Sequence, residues 1–415
     1  MLLSHFELFW PALIQRGYVK QLATPIIRAF PKSGSKKEYV TVESFYTDDE
    51  YKLWAADHDS SKWEVKYYKG LATHNDEEAI HMFQKYDESL YTITYDELAS
   101  KTFNVYYGKD PDLRKVELVN VRVSPGIKNM KISCTEHLQS HTKEFQLDNI
   151  MRKLPNVYDG LNPARRKILC ASRKRFLSNN AEVKVFQLAG YVAEHMNYHH
   201  GSASLEKTIV NMAQDYVGAN NLPLLLPLSQ FGGRTHGGKD YGAPRYIKTK
   251  LNKDLVSAMF RSEDDYVLEY TYDEGVCNEP VSYMPIAPLV LLESLEIPAT
   301  GWKYAGYARE WSAVYNNILT LIKKLDGSNT DSIHEISIPT MPFWKNKWGG
   351  ELRSVDKQTF AMGKYVYDCT NNMIEITELP FQTWNESYVE KMGERSEIMS
   401  VDDSSSKLQL SLIHI

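Results

Sequence analysis

The spacing of hydrophobic positions changes repeatedly along this chain. The apolar-rich opening LLSHFELFWPALI predicts a helix stopped near Pro11, followed by a strand over QLATPIIRAF. Residues 39 to 46 (YVTVESFY) and 63 to 68 (WEVKYY) alternate, which predicts two strands, because successive side chains of a strand face opposite sides. Between them Thr47-Asp48-Asp49-Glu50 marks a helix start, with acids against the positive end of the helix dipole. Thr73 followed by Asp76 resembles a capping box ahead of the helix EEAIHMFQKY. Helix N-termini account for these acids better than metal ligation does.

From 109 to 150 the pattern is polar and weak and reads as a connection. Helical spacing returns at Asn162, where NPARRKILCASRKRFL places Pro early and turns Ile168, Leu169 and Phe176 inward. The next helix, VFQLAGYVAEHM, should bury Val185, Leu188, Val192 and Met196. After the break YHHGSAS a third runs through Leu205, Ile209, Met212 and Tyr216. Helices parted by a tight, Gly-containing turn, with cations on the exposed face, read as a helix-turn-helix or winged-helix core. Beyond Lys250 come the apolar run YMPIAPLVLLESLEIP, a helix near 308 to 324, and strands near 364 to 367 and 373 to 377. The closing KLQLSLIHI alternates like another strand. The chain is therefore α+β.

Composition narrows the class. A length of 415 residues accommodates two or three domains, and 43% hydrophobic with 24% charged residues is ordinary for a globular protein. No window approaches eighteen apolar residues and no secretory signal opens the chain, so no membrane partner is expected. The four cysteines stand far apart with no C-x-x-C pair, which argues for buried thiols over zinc or disulfides. Net charge is −5, yet Arg152 to Arg175 holds eight Lys or Arg against the single acid Asp159. Residues 234 to 250 hold Arg234, Lys239, Arg245, Lys248 and Lys250 against Asp240. Two basic patches on an acidic chain suit a DNA groove, or else a pair of solvated helix faces.

Tyr246 lies inside the second patch. A tyrosine that attacks phosphate needs its phenolate favoured against an ordinary pKa of ~10, which neighbouring cations do, and the same cations neutralise phosphate oxygens in the transition state. The chain has 27 tyrosines, most of which must serve packing. Tyr246 therefore stands on its surroundings.

Those surroundings resemble a family. The runs KYYKGLATH (66 to 74), DGLNPARRKIL (159 to 169), KVFQLAGYVAEHMNYHHGSASL (184 to 205), LSQFGGRTHGGKDYGAPRYI (228 to 247) and ATGW (299 to 302) resemble the type IIA DNA topoisomerases of the eukaryotic kind. FELFWPALIQRGYVK and EVKYYKGLATH are most similar to the enzymes of large DNA viruses. The resemblance implies the end of a Toprim α/β domain over 1–110, a connector over 111–150, a winged-helix breakage-reunion domain over 151–262 and the start of an α/β tower from 263 to 415. It implies Tyr246 as the nucleophile that forms a phosphotyrosyl bond, with Arg245 stabilising the phosphate and His200, beside His199, donating to a phosphate oxygen or moving a proton. A capping role is the bland alternative for the His pair. It further implies phosphate contacts from Arg165, Arg166, Lys167, Lys184, Arg234 and Lys239.

Two departures accompany it. Pro298, next to Ile297, stands where most cellular relatives carry a wedging isoleucine; proline is itself an apolar wedge that kinks duplexes, so this role is expected to survive. Ala72 replaces the glycine usual after KGL. The implied partners are double-stranded DNA and a second copy of the chain, with Mg²⁺ and ATP as cofactors of the full-length protein. The family's metal-binding acids precede FELFWP, so no metal ligands are expected in this chain. It reads as an internal piece of a longer polypeptide that binds DNA but shows little or no cleavage by itself, in a nucleus if cellular, or in a host cytoplasmic replication site or virion if viral. The competing reading is a non-catalytic winged-helix architectural protein.

Overall fold

The computed structural model describes residues 2–32, 42–46, 48–68, 74–120, 131–177, 179, 181–198, 201–273, 276–326, 348–355, 358–396, 398, 400–403, 405 and 412–414. The chain divides into two compact units, one of Met1–Met151 with Ala299–Trp302 and one of Arg152–Pro298 with Lys303–Ile415.

In the first unit, helix α1 (Leu2–Phe9) ends at Trp10 and Pro11 opens a second helix, α2 (Pro11–Gln15). The helix stop expected near Pro11 thus falls at Trp10, and Pro11 itself opens the next helix, because the N–H it lacks has no partner in a first turn anyway. The strand expected over QLATPIIRAF is two strands, β1 (Lys20–Leu22) and β2 (Ile27–Pro31), parted at Pro25, which has no donor for a ladder. Strand β2 pairs antiparallel with β3 (Glu43–Phe45) and β4 (Trp63–Tyr67), and Ile27, Ala29 and Phe45 form its core. Helix α3 (Asp48–Asp57) lies between β3 and β4, as the acids predict.

Helix α4 (Asp76–Gln84) is capped by Asn75. Asn75 Oδ1 accepts from the Glu78 N–H at 2.8 Å, and Glu78 Oε2 accepts from the Asn75 N–H at 2.9 Å. The reciprocal box needs a Glu three residues on, which Asn75 has and Thr73 lacks. Thr73 and Ala72 themselves lie outside the described residues.

After α5 (Tyr86–Ser89), strand β5 (Leu90–Thr94) pairs antiparallel with β1 and parallel with β6 (Lys131–Ser133). Around it stand α6 (Ala99–Tyr107), α7 (Pro111–Val119), α8 (Cys134–His137) and α9 (Lys143–Lys153). The weakly patterned stretch 109–150 is thus helical over most of its described residues, and Leu118, Cys134 and Leu138 join Ile14, Tyr91 and Tyr106 in the core. A π-helical turn over Leu138–Thr142 shifts the phase of the apolar positions and hides this helix from a 3.6-residue reading.

The second unit begins with α10 (Pro163–Phe176), α11 (Val185–His195) and α12 (Ser202–Ala213). They pack with a three-stranded antiparallel sheet in which β9 (Lys248–Leu251) lies between β7 (Val183–Lys184) and β8 (Leu225–Pro227). Ile168, Leu188, Val192, Met196, Leu205 and Ile209 are fully buried, each stabilising the fold by roughly 1.5–3 kcal/mol. Helix α12 stops at Ala213, short of the expected Tyr216, because the Gln214 side chain is taken by a neighbouring loop. Helix α13 (Lys253–Met259) and the hairpin β10 (Tyr270–Asp273) to β11 (Val276–Pro280) follow, then α14 (Leu289–Leu292). Strands β12 (Leu295–Pro298) and β13 (Lys303–Gly306) form a hairpin ahead of α15 (Trp311–Leu325). The remainder is the hairpin β14 (Glu351–Val355) to β15 (Gln358–Met362), the strands β16 (Lys364–Asp368) and β17 (Met373–Glu378), and α16 (Asn385–Gly393). Strands β18 (Val401–Asp403) and β19 (Leu412–His414) complete a sheet of order β16-β17-β19-β18. The expected C-terminal strand is β19; the rest of KLQLSLIHI lies outside the described residues.

Candidate nucleic-acid interface

Residues Ala243 to Ile247 make a turn whose shape is held from inside. The Tyr246 and Ile247 N–H groups donate to the Ala243 carbonyl at 2.8 and 3.3 Å. Two N–H groups at the start of α11 donate outward to the same turn, Val185 to the Ile247 carbonyl at 3.0 Å and Phe186 to the Pro244 carbonyl at 3.1 Å. First-turn N–H groups lack helical acceptors, so helix and turn satisfy each other. Ile247 is buried beneath, and Gly242 leaves space for it, since a Cβ there would stand 2.8 Å from Ile247 Cγ2. Tyr246 is pushed outward and is 71% exposed. The Arg245 guanidinium, also exposed, lies 6.0 Å from the Tyr246 ring centroid, at the edge of cation–π range.

The cations of α10 divide. Arg166 is buried, with Nε 2.6 Å from Asp159 Oδ2 and Nη2 donating to Asp159 Oδ1 at 3.0 Å and to the Leu161 carbonyl at 2.8 Å. Lys167 Nζ donates to the Met196 carbonyl at the end of α11 and to Glu279 Oε2, both at 2.7 Å. Arg173, two turns beyond Arg166 on the same face, reaches Asp265 at 2.7 Å. Arg166 and Lys167 are thus each tied to a carboxylate within the second unit. The acids that claim Lys167 and Arg173 come from 112 and 92 residues away, which a local charge count misses. Arg165 is half-buried and faces Glu293, whose carboxyl is pushed up by burial while it accepts from the Asn221 and Leu222 N–H groups.

Lys184 and Lys239 are exposed. Lys184 sits opposite Lys248 across the β7–β9 ladder, and Lys248 is paired with Glu182 at 2.6 Å. Arg234 is held at Glu378 Oε1, 2.5 Å away. Pro298 is exposed at the end of β12, opposite Lys303, and half-buried Ile297 pairs with Tyr304. His199 and His200 lie outside the described residues. Among the described residues no group of three or more His, Cys, Asp or Glu is placed to hold a metal ion. No described helix is long and apolar enough to cross a membrane.

Sequence reasoning missed Gln214 and the segment from Glu378 to Glu386. Gln214 Nε2 donates to the Phe231 carbonyl at 2.9 Å and the Gly238 carbonyl at 3.0 Å. His236 Nδ1 stands 2.9 Å from Glu386 Oε2, and that hydrogen bond raises the imidazole pKa. The Glu386 N–H donates to the Thr235 carbonyl at 3.2 Å. Partners some 150 residues apart leave no local signal.

The second unit thus joins three helices and three strands around a locked turn that holds an exposed Arg-Tyr pair. Residues 152–412 match the A-subunit model of DNA gyrase/topoisomerase IV, and the chain belongs to that family. Residues 22–154 match the C-terminal associated domain of TOPRIM. The chain is 39% identical to DNA topoisomerase 2 of African swine fever virus (isolate Pig/Kenya/KEN-50/1950), over 98% of its own length and 35% of that protein. It is 34% identical to rat (Rattus norvegicus) DNA topoisomerase 2-alpha, over 95% of its length and 26% of the relative. The solved DNA-binding, cleavage and re-ligation domain of Plasmodium falciparum topoisomerase II is similar across the whole chain, with a TM-score of 0.77 and 31% identity, and is itself covered over 55%. The chain thus spans about a third of the length of its viral relatives.

Proposed function

We propose that this chain is the breakage-reunion segment of an ATP-dependent type II DNA topoisomerase that works as a homodimer on duplex DNA inside the cell, at the nucleus or a viral replication site. The observation that carries the reading is the exposed Tyr246 on a backbone turn bonded from both sides. The Tyr246 oxygen attacks a backbone phosphorus. A bond from phosphorus to the phenol oxygen forms as the bond to one deoxyribose oxygen breaks; the phenol gives up its proton and the departing oxygen takes one up. Resealing reverses both changes, so the phosphodiester energy is kept in the phosphotyrosyl bond while a second duplex passes. Arg245 neutralises charge on the phosphate, and Lys184 and Lys239 hold the duplex through its backbone. His200, with His199, assists at the phosphate, and Pro298 wedges the bent duplex, with Ile297 behind it. In this reading Mg²⁺ and ATP serve the whole polypeptide.

The test uses a duplex with sulfur in place of the bridging oxygen that departs. A thiol, with a pKa of ~8.5, leaves as the anion without needing the metal that an alkoxide requires. The chain should bind this duplex, with affinity falling steeply as salt rises, and retain one strand covalently under denaturing conditions. Tyr246→Phe should bind equally well and retain none. Binding by the unmutated chain with no covalent product would favour the architectural reading instead.

A further inference from the structure

We propose that Trp384 is a positioning residue for Tyr246, acting through the loop Gly232–Asp240; the inference rests on the reading of Tyr246 as nucleophile. The loop is closed on itself. The Gly238 N–H donates to the Gly233 carbonyl at 2.8 Å, and the Gly233 N–H to Asp240 Oδ1 at 3.0 Å. Its base is joined to the tyrosine turn, because the N–H of Gly242, which seats Ile247, donates to the Gln230 carbonyl at 2.9 Å. Whatever fixes the loop therefore fixes the approach to Tyr246.

Two groups fix it, one before the loop in sequence and one far beyond it. Gln214 holds the Phe231 and Gly238 carbonyls with one amide group. Trp384 lies against Gly237 so closely that a Cβ there would stand 2.5 Å from the indole Nε1. Gly237 has φ +60°, a conformation that already favours glycine, so both backbone and space require it. The same indole meets Gly218, where a Cβ would stand 2.8 Å from its ring, and the edge of the Tyr216 ring at a centroid distance of 6.0 Å. Arg234 to Glu378 and His236 to Glu386 strap the loop on either side of this contact. An indole seated on a glycine backbone between two ionic straps is a clamp. It is built from residues in contact with the loop that precedes Tyr246, and its consequence is for the reaction, since a misplacement of ~1 Å at a reacting atom costs on the order of 10²-fold in rate.

The experiment compares the full chain with Trp384→Ala, Trp384→Phe and Gly237→Ala, the last pushing the indole off from the other side. Two quantities are read: amide hydrogen exchange at Gly233 and Gly238, and the rate of covalent capture of the sulfur-bridged duplex beside its Kd. Trp384→Ala and Gly237→Ala should speed exchange at both amides and slow capture ~10- to 100-fold with Kd changed less than ~3-fold. Trp384→Phe should restore most of both, which a loss of overall folding would not allow. Unchanged exchange in Trp384→Ala and Gly237→Ala overturns the clamp. Faster exchange with an unchanged capture rate overturns the positioning role. A wild-type chain that captures no DNA refutes the nucleophile reading, and the positioning role falls with it; the exchange result still decides the clamp.

Discussion

Arg166 and Asp159 meet inside the second unit as a two-bond pair, at 2.6 and 3.0 Å, and both side chains are buried. Asp159 Oδ1 also accepts the Leu161 N–H at 2.9 Å and Oδ2 the Tyr283 N–H at 3.0 Å, so one carboxylate ties the start of α10 to the segment after β11. Removing one partner strands a buried charge. Arg166→Ala should therefore lower unfolding stability by about 3–5 kcal/mol, read by urea denaturation. A stable Arg166→Ala protein that had lost only DNA affinity would assign Arg166 to the duplex after all.

Lys184 and Lys239 differ from Lys167 in what they face. Replacing either exposed lysine by alanine should leave the unfolding midpoint in place and flatten the plot of log affinity against log salt by about 0.9 for each phosphate no longer neutralised. Lys167→Ala should shift the unfolding midpoint and leave the salt slope alone, because Lys167 already serves Glu279 and the end of α11. Titrations of duplex at several salt concentrations separate the two outcomes.

The strap between His236 and Glu386 carries a pH dependence of known sign. The hydrogen bond to Glu386 raises the imidazole pKa in the folded state. Its hold on the loop is then complete below the ordinary histidine pKa of ~6.5 and is lost as pH rises through the folded value. An NMR titration should find His236 titrating above free histidine, and Glu386→Gln should bring it down. A midpoint unmoved by Glu386→Gln would dissolve the strap.

His137 runs the other way. Burial, then the neighbouring His141 ring 5.3 Å away, lower its pKa to about 4. The folded state holds the neutral ring, so its stability is complete above pH ~6.5 and falls progressively toward pH 4 as the unfolded chain takes up the proton. The melting temperature of the unmutated chain should drop across that window, and His137→Leu should flatten the drop. An equal drop in His137→Leu would place the acid sensitivity elsewhere.

Much of this architecture was legible from spacing alone. Val185, Leu188, Val192 and Met196 sit on one face because their positions recur at helical intervals, and all four are buried. Strands β4, β16 and β17 fall where alternation places them. The stretch 109–150 was not legible, since a π turn breaks its period. In the interface, the exposure of Tyr246 follows from Pro244, which gives its carbonyl to α11, and from Ile247, which is drawn into the core. The burial of Arg166 and the pairing of Lys167 with Glu279 were hidden, because a sequence shows charge and not the direction in which it points. Trp384 and Gln214 were hidden for a related reason: their chemistry is ordinary and only the fold brings them to one loop.

The most direct test of the central claim is to digest the covalent complex with the sulfur-bridged duplex and locate the modified peptide by mass spectrometry. A nucleotide phosphate is expected on Tyr246 and on none of the other 26 tyrosines of the 27 in the chain. A phosphate carried by another residue, or none on a chain that binds the duplex, would contradict it.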